Sequence, residues 1–475
     1  MQRKAINIFK NLDYISILLY LALVFMGWLN IYAAVYNDEY NSIIDISQKY
    51  GKQLMWIFIT FGFITAILLI DSKVYSLGSY FIYGLMMLVL VSVLFLGKEV
   101  NGARSWFQLG FIKFQPAEFA KFATCLAMAK FMSRFNFKMM TFKNLILLGI
   151  ICFTPAALII LQNDTGSALV YTSFVLVFYR QGLPGIILGL MFIAVAIFIL
   201  TLITSSLITL SIILLGGILG YYIVNKNKKE CFFSIIFISI IFSLTKLCFY
   251  LFDIDKSDYK ILLYSALFFL PFALIYSFKK RIKYALISIV IVSGAIGFNS
   301  SVHYIFENVL EKHQSQRIKI MLGIESDPYG KGYNVNQSKI AIGSGGLTGK
   351  GFLQGTQTKY DFVPEQSTDF IFCTIGEEWG FGGSFVVISI FLTLILRLIF
   401  LAERQRSRFS RIYGYGVASI FIFHLAINIG MTIGLAPVIG IPLPFFSYGG
   451  SSLLSFSILL FIFIKLDSNR LELFG

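Results

Sequence analysis

Long apolar runs alternate with short polar connectors along nearly the whole chain. A bilayer-spanning helix needs about 20 mostly apolar residues. Runs of that kind stand at 14–36, 53–70, 76–97, 116–133, 144–162, 166–179, 184–203, 205–225, 231–251, 260–278, 283–302, 369–396, 412–433 and 449–465. Those at 116–133 and 166–179 are shorter or more polar than the others. The pattern predicts an all-α polytopic integral membrane protein with about fourteen transmembrane helices. Four blocks follow from it. Residues 1–200 hold the first seven helices and a loop at 98–115, and residues 201–302 hold further helices. Residues 303–368 form one large loop, and residues 369–475 hold the closing helices. The large loop carries glycine, aromatic and apolar residues throughout, so it is expected to be ordered and packed on the membrane domain.

The connectors orient the stack. Arg3, Lys4 and Lys10 precede the first run, which puts the N-terminus in the cytoplasm. Alternating from there, the inner connectors hold Lys130, Arg134, Lys138 and Lys143, then Lys226, Lys228 and Lys229. They continue with Lys279, Lys280, Arg281 and Lys283, then Arg404, Arg406, Arg408 and Arg411. The outer ones hold Asp38, Glu39, Asp253, Asp255 and Asp258. The sides separate by sign, both termini fall inside, and the loops at 98–115 and 303–368 fall outside.

Composition agrees. Hydrophobic residues make up 57% of the 475 and charged residues only 13%, against roughly 25% in soluble domains. That is too little charge to cover a water-facing surface. A net charge of +15 would suit a nucleic-acid binder, but its clustering in short connectors points to membrane orientation instead. The five cysteines show no CxxC spacing and read as small hydrophobes. His303, His313 and His424 are scattered, which disfavours a histidine metal site. The first apolar run is long enough for a spanning helix and too long for a signal-peptide core.

The long loop carries the densest polar chemistry. Gly343 to Gly351 resembles a phosphate loop only superficially. Ser344 stands where that motif needs glycine and Gly351 where it needs Ser or Thr. These glycines instead suit tight turns and close approach of the backbone to a ligand or helix. Asp327 precedes Pro328 in a turn-rich stretch with Gly330, Gly332 and Tyr333. Such a carboxylate, partly shielded at the membrane mouth, could take a proton from a sugar hydroxyl. On this stretch alone, an Asp-Pro turn initiator is the plainer reading.

Four further groups fall on or near the same side. Asn101 to Gly110 and Phe114 to Lys121 form the first. Pro116 suits a first helical turn, and Glu118 and Lys121 share a face three residues apart. That pair either neutralises itself or lines a cavity. Trp106 is an interfacial anchor or a ligand contact. Arg104 and Lys113 add outer positive charge that suits a lipid phosphate. Gln162 to Ser167 is the second group. The third, Thr368 to Gly380, places Glu377 and Glu378 inside a spanning helix, as a proton relay or transporter would. The fourth runs from Asn428 to Gly434 and from Pro437 to Ser452, where Pro and Gly suggest broken backbone buried in protein.

On these residues the chain resembles the SEDS family of shape, elongation, division and sporulation proteins. The matching stretches are 101–121, 162–169, 327–351, 355–357, 363–380 and 428–452. Gly355-Thr-Gln357 and Val363-Pro-Glu-Gln366 are more similar to the family's RodA branch than to its FtsW branch. The resemblance implies a peptidoglycan glycosyltransferase that polymerises lipid II at the outer face of the cytoplasmic (inner) membrane during cell elongation. It implies a class B penicillin-binding protein as transpeptidase partner, among other membrane proteins of an elongation complex. Asp327 matches the family's essential loop aspartate. Trp106, Glu118 and Lys121 match functionally important positions, and Asp164 matches the acid of a conserved stretch in which Ser167 here replaces Thr. The candidate substrate-binding set is then Arg104, Trp106, Lys113, Glu118, Lys121, Asp164, Tyr333, Ser338, Lys339, Gln357 and Glu365. The family usually has ten spanning helices, so the excess at about 200–300 is a departure.

The implied reaction is an inverting transfer with Asp327 as general base and cations at the leaving pyrophosphate. Arg104, Lys113, Lys121 and Lys339 are candidates for that role. A divalent cation, Mg or Mn, could share it, and no organic cofactor is expected. A lipid flippase and a non-catalytic scaffold are the rival functions, although no inverted repeat of the usual transporter kind is evident.

Overall fold

The computed structural model describes residues 11–36, 45–100, 102–110, 112–252, 257–280, 283–308, 312–322, 324, 332–360 and 362–470. The protein is a mostly helical, polytopic integral membrane protein. Two compact units divide it, one of residues 1–184 with 328–475 and one of 185–327.

In the first unit α1 (Tyr14–Val35), α2 (Lys49–Leu69), α3 (Ser72–Leu77) and α4 (Ser79–Leu96) lead into a small antiparallel meander. Its strands are β1 (Lys98–Val100), β2 (Ala103–Leu109) and β3 (Ile112–Phe114) in the order β1-β2-β3. Lys98 pairs with Trp106, and Gln108 with Lys113. There follow α5 (Pro116–Met132), α6 (Phe142–Leu161), α7 (Thr165–Leu169), a 3-10 turn (Val170–Ser173) and α8 (Phe174–Arg180).

The second unit contains α9 (Gly185–Ile203), α10 (Ser206–Asn225), α11 (Lys228–Leu251), α12 (Asp258–Lys280), α13 (Lys283–Asn308) and α14 (Lys312–Met321). Its core gathers Ile197, Leu210, Leu214, Ala266, Leu270 and Ile296. Thr201 Oγ1 donates to the buried Asn299 Oδ1 at 2.7 Å.

The chain then closes the first unit with α15 (Tyr333–Ser344), α16 (Thr356–Lys359), α17 (Ile371–Glu378), α18 (Gly380–Glu403), α19 (Arg408–Thr432) and α20 (Gly450–Ser468). Helices α19 and α20 form its buried centre, and α5 packs against both.

Among the described residues twelve helices are long and apolar enough to cross a membrane, against the fourteen runs expected. The run at 116–133 forms α5, a helix of 17 residues that is buried almost throughout. The run at 166–179 breaks into α7, the 3-10 turn and α8, together ~24 Å of rise, short of the ~30 Å hydrocarbon core. Gly166 lies so close to the Ile439 carbonyl oxygen that an added Cβ would stand 2.0 Å from it. The Pro- and Gly-rich 437–446 segment is therefore packed backbone-on-backbone against this broken run.

The expected run 369–396 is also two pieces. It breaks at Trp379–Gly380, with Gly380 at φ +63° and its Cβ position 2.3 Å from the Gly349 nitrogen. The spanning helix is α18, and Glu377 and Glu378 sit on short α17 outside it. This corrects their expected place within a transmembrane helix. Residues 332–368, the described half of the large loop within this unit, pack against α17, α19 and α1.

Candidate active site

Helix α5 starts where the meander ends. Pro116 opens its first turn, and Glu118 lies in that turn, favourably placed in the helix dipole. Three residues on, Lys121 points the same way, and its Nζ lies 2.8 Å from Glu118 Oε2. The pair is 2% and 3% exposed. Lys121 Nζ also reaches His424 Nε2 at 3.1 Å and the Phe456 ring at 4.6 Å. The other imidazole nitrogen, Nδ1, stands 3.0 Å from the Pro442 carbonyl oxygen. A carbonyl only accepts, so Nδ1 carries the hydrogen and Nε2 offers its lone pair to the ammonium. Ser455 Oγ donates to Glu118 Oε2 at 3.4 Å. The lysine thus sits in a closed socket of carboxylate, neutral imidazole and aromatic face. A buried cation persists only with such partners.

Asp164 stands nearby as the N-cap of α7. It accepts from the Ser167 amide at 3.0 Å, from Ser167 Oγ at 2.9 Å and from Gln115 Nε2 at 2.8 Å. The hydroxyl at position 167 is what this geometry uses, so Ser serves there as Thr would. The meander is pinned to the same place. The Arg104 amide donates to the Gln162 carbonyl at 3.0 Å, and Ser451 Oγ donates to the Lys113 carbonyl at 2.8 Å. Arg104 and Lys113 are exposed, while Trp106 is half-buried on β2. One end of the helix bundle therefore brings together Arg104, Trp106, Lys113, Glu118, Lys121 and Asp164. The exposed cations stand at its rim and the Lys121 socket lies beneath. Lys121 is enclosed, so it does not offer its ammonium at the surface.

The remaining candidates lie on the loop. Ser338 Oγ donates to the Thr432 carbonyl at 2.9 Å and fastens α15 to the end of α19. Lys339 is exposed on the adjacent position, its Nζ 2.5 Å from where a Cβ on Gly434 would stand. Tyr333 is half-buried at the start of α15. Glu365, exposed at φ +57°, closes a turn by accepting from Thr368 Oγ1 at 2.8 Å. Gln357 donates its amide to Glu377. These five are not in hydrogen-bond contact with the Lys121 socket among the described residues. Asp327 lies outside the described residues.

Glu377 was legible only as an intramembrane acid, yet it is a clamp for the loop. Its Oε1 accepts from Lys350 Nζ at 2.7 Å, Thr356 Oγ1 at 3.2 Å and the Gln357 amide at 2.9 Å. Its Oε2 accepts from the Thr358 amide and Thr358 Oγ1, both at 2.9 Å. Burial works against the charge. The Lys350 ammonium and the Gln357 and Thr358 donors outweigh it and hold the carboxyl below its ordinary value. Glu378 has only the Leu353 amide on Oε1, at 3.2 Å, and burial pushes its carboxyl up to about 7. The glycines of 343–351 serve the same docking. A Cβ on Gly345 would stand 1.9 Å from the Gly376 carbonyl oxygen, and one on Gly349 2.1 Å from that of Glu378. The expectation of close approach to a helix holds, and Lys350 meets a carboxylate instead of a phosphate.

Sequence reasoning missed His424, read there as one of three scattered histidines. It stands four residues before Asn428 on the same buried face of α19, and Asn428 Nδ2 donates to the Asp369 and Ile441 carbonyls at 2.9 and 2.7 Å. That spacing was the available signal. Among the described residues no group of three or more His, Cys, Asp or Glu side chains could hold a metal ion.

A family described as "Cell cycle protein", that of FtsW, RodA and SpoVE, matches residues 14–215 and 210–472. The chain is similar to the peptidoglycan glycosyltransferase RodA of Treponema pallidum, with 32% identity over 97% of this chain and 99% of that one. It is 29% identical to the peptidoglycan glycosyltransferase MrdB of Escherichia coli over 94% of this chain and 90% of that one. Two solved structures share the fold. One is of a peptidoglycan synthase complex that coordinates polymerisation and crosslinking (TM-score 0.63, 21% identity, 98% of this chain and 100% of that one). The other is RodA of Thermus thermophilus (TM-score 0.56, 20% identity, 98% and 99%).

Proposed function

The chain belongs to the FtsW, RodA and SpoVE family of cell cycle proteins, and we propose that it polymerises lipid II into glycan strands at the outer face of the cytoplasmic membrane. It is a peptidoglycan glycosyltransferase, like its named relatives. The acceptor's 4-hydroxyl attacks the anomeric carbon of the donor sugar. The bond from that carbon to the lipid pyrophosphate breaks, the configuration inverts, and undecaprenyl pyrophosphate leaves with the electron pair. Asp327 takes the hydroxyl proton, a contribution of roughly 10²–10⁴-fold. No nucleotide is consumed, because the donor's pyrophosphate is itself the leaving group.

The observation that carries this reading is the cationic rim on a rigid base. Arg104 and Lys113 are exposed on a meander pinned to the end of α6 and to α20, at the end of α5 that carries the closed Glu118–Lys121–His424 socket. Fixed positive charge beside a lipid pyrophosphate lowers the barrier to its departure. Lys339 adds a third exposed cation on the loop. In this scheme Lys121 and His424 position the base of the site and do not bind the anion directly. A divalent cation at the pyrophosphate would serve the same end as the rim, and no step above depends on one.

Glu377 does not fit a transporter's proton relay. An acid satisfied by five donors is a structural tie, whereas a relay needs an acid free to exchange its proton. The synthase complex of like fold coordinates polymerisation with crosslinking, and the partner here would be a class B penicillin-binding protein that crosslinks the strands.

Purified chain supplied with labelled lipid II, with and without that partner, tests the reading. Glycan ladders are the expected product. Movement of lipid II across vesicle membranes without polymer would make the protein a flippase. Neither activity, with the partner bound, would leave a scaffold.

A further inference from the structure

At the end of the first unit opposite the rim, the connector between α5 and α6 folds into a fixed turn. Asn136 adopts φ +57°, the Phe137 amide donates to the Arg134 carbonyl at 3.3 Å, and Asn144 Nδ2 donates to the Lys138 carbonyl at 2.8 Å. With Arg408 at the start of α19, this turn borders an open surface cavity of about 520 Å³ lined by Arg134, Lys138, Arg408, Asn136, Phe135 and Phe137. No acid lines it. The described acids at this end are engaged elsewhere: Asp13 by Arg397, Glu403 by Arg180, and Asp467 by Arg404 and Arg470, while Asp71 caps α3 by accepting from the Lys73 amide. Arg134 donates to the Tyr80 hydroxyl at 2.7 Å and lies over the Phe131 ring at 4.6 Å, so its guanidinium is oriented without being neutralised. Three cations therefore face one cavity with no counter-charge among the described residues.

The same connector exposes apolar side chains. Phe135, on the cavity's lining, is 95% exposed, and Phe142, at the start of α6, is 79% exposed. Water is a poor place for two such rings, and the boundary between headgroups and acyl chains is a good one. Cations paired with exposed aromatics at a bilayer edge match a negatively charged lipid: arginine and lysine hold the phosphate, and the rings enter the hydrocarbon.

We propose that this pocket binds the headgroup phosphate of an anionic phospholipid in the adjoining leaflet, with Phe135 set among its acyl chains. By the distribution of basic connectors this is the cytoplasmic leaflet. The site tethers the α5–α6 turn, and hence the helix that carries Lys121, to membrane charge.

Native mass spectrometry of the full-length chain in detergent tests it, with phosphatidylglycerol, phosphatidylcholine and inorganic phosphate as separate probes. Wild type should retain phosphatidylglycerol in preference to phosphatidylcholine and bind inorganic phosphate only weakly. At roughly fivefold per cation, Arg134→Gln/Lys138→Gln/Arg408→Gln should lose on the order of 100-fold in that retention. Lys138→Gln/Arg408→Gln, which leaves the Arg134–Tyr80 contact in place, should lose on the order of 10-fold. Equal retention by both variants would overturn the proposal. So would inorganic phosphate that binds wild type as tightly as the lipid does, since the pocket would then be a free-anion site.

Discussion

Replacing Glu377 by glutamine isolates the clamp. The side chain keeps its shape and loses its charge, and one oxygen becomes a donor. If Nε2 takes the place of Oε2, it meets the Thr358 amide, so two donors face each other at full burial. If it takes the place of Oε1, it meets Lys350 and the Gln357 amide. Either way the half-buried Lys350 loses its counter-charge, and at least one backbone donor is orphaned. Breaking a fully buried pair costs about 3–5 kcal/mol; water at Lys350 places this loss at the low end, about 3 kcal/mol, with the orphaned donor part of that sum. Such a loss falls on the docking of residues 350–358 rather than on the helices. At about 1.4 kcal/mol per tenfold, amide exchange of Leu353 to Thr358 should accelerate by at least ~100-fold, while α19 and α20 stay protected. Hydrogen exchange with mass spectrometry reads both. The wild-type carboxyl titrates below its ordinary value, so its contribution is complete above pH ~4.5 and is lost as pH falls through the folded-state value. The variant should lack that acid-side loss. Protection of 353–358 within about threefold of wild type at pH 7 would refute the clamp.

Other outcomes follow from the same geometry. His424→Gln, whose amide can donate to Pro442 and accept from Lys121, should keep most polymerase activity. His424→Leu, which leaves the ammonium one partner short, should lose roughly 10²-fold in kcat with little change in KM; equal loss by both variants would reduce the imidazole to packing. Gly349→Ala puts a Cβ against the Glu378 carbonyl at a positive φ and should destabilise by at least about 2 kcal/mol, read as a lowered Tm in detergent. Glu378 binds its proton more tightly folded than unfolded, so wild-type stability should fall as pH rises from about 4.5 to 7 and level off above. The drop should be on the order of 3 kcal/mol. Glu378→Gln should flatten that profile, and denaturation at pH 5 and pH 8 checks it.

Much of this architecture is written in apolar run length. Every expected run carries helix, because about 20 apolar residues in a bilayer can satisfy their backbone only internally. The breaks were harder to read. Glu377 and Glu378 border one break and the polar Gln162–Ser167 stretch lies beside the other, but the close approaches that hold these segments come from distant backbone, Gly349 against Gly380 and Ile439 against Gly166. The same long-range origin hid the role of Glu377, whose partners stand 19 to 27 residues earlier. Glu118 with Lys121 was legible because the pair lies within one turn. His424 completes that pair from 303 residues away, and its local sequence is an apolar helix like any other. Asp164 and Ser167 were read as polar residues of a connector. Their use as a helix cap appears only once Gln115 is brought to the same carboxylate.

Catalysis at the membrane's outer edge is tested most directly by Asp327→Asn. The variant should fold, keep the wild-type Tm and bind the partner transpeptidase, yet yield at least ~100-fold less glycan polymer from labelled lipid II. Ladders of wild-type length and rate from that variant would contradict Asp327 as the base and, with it, the proposed mechanism.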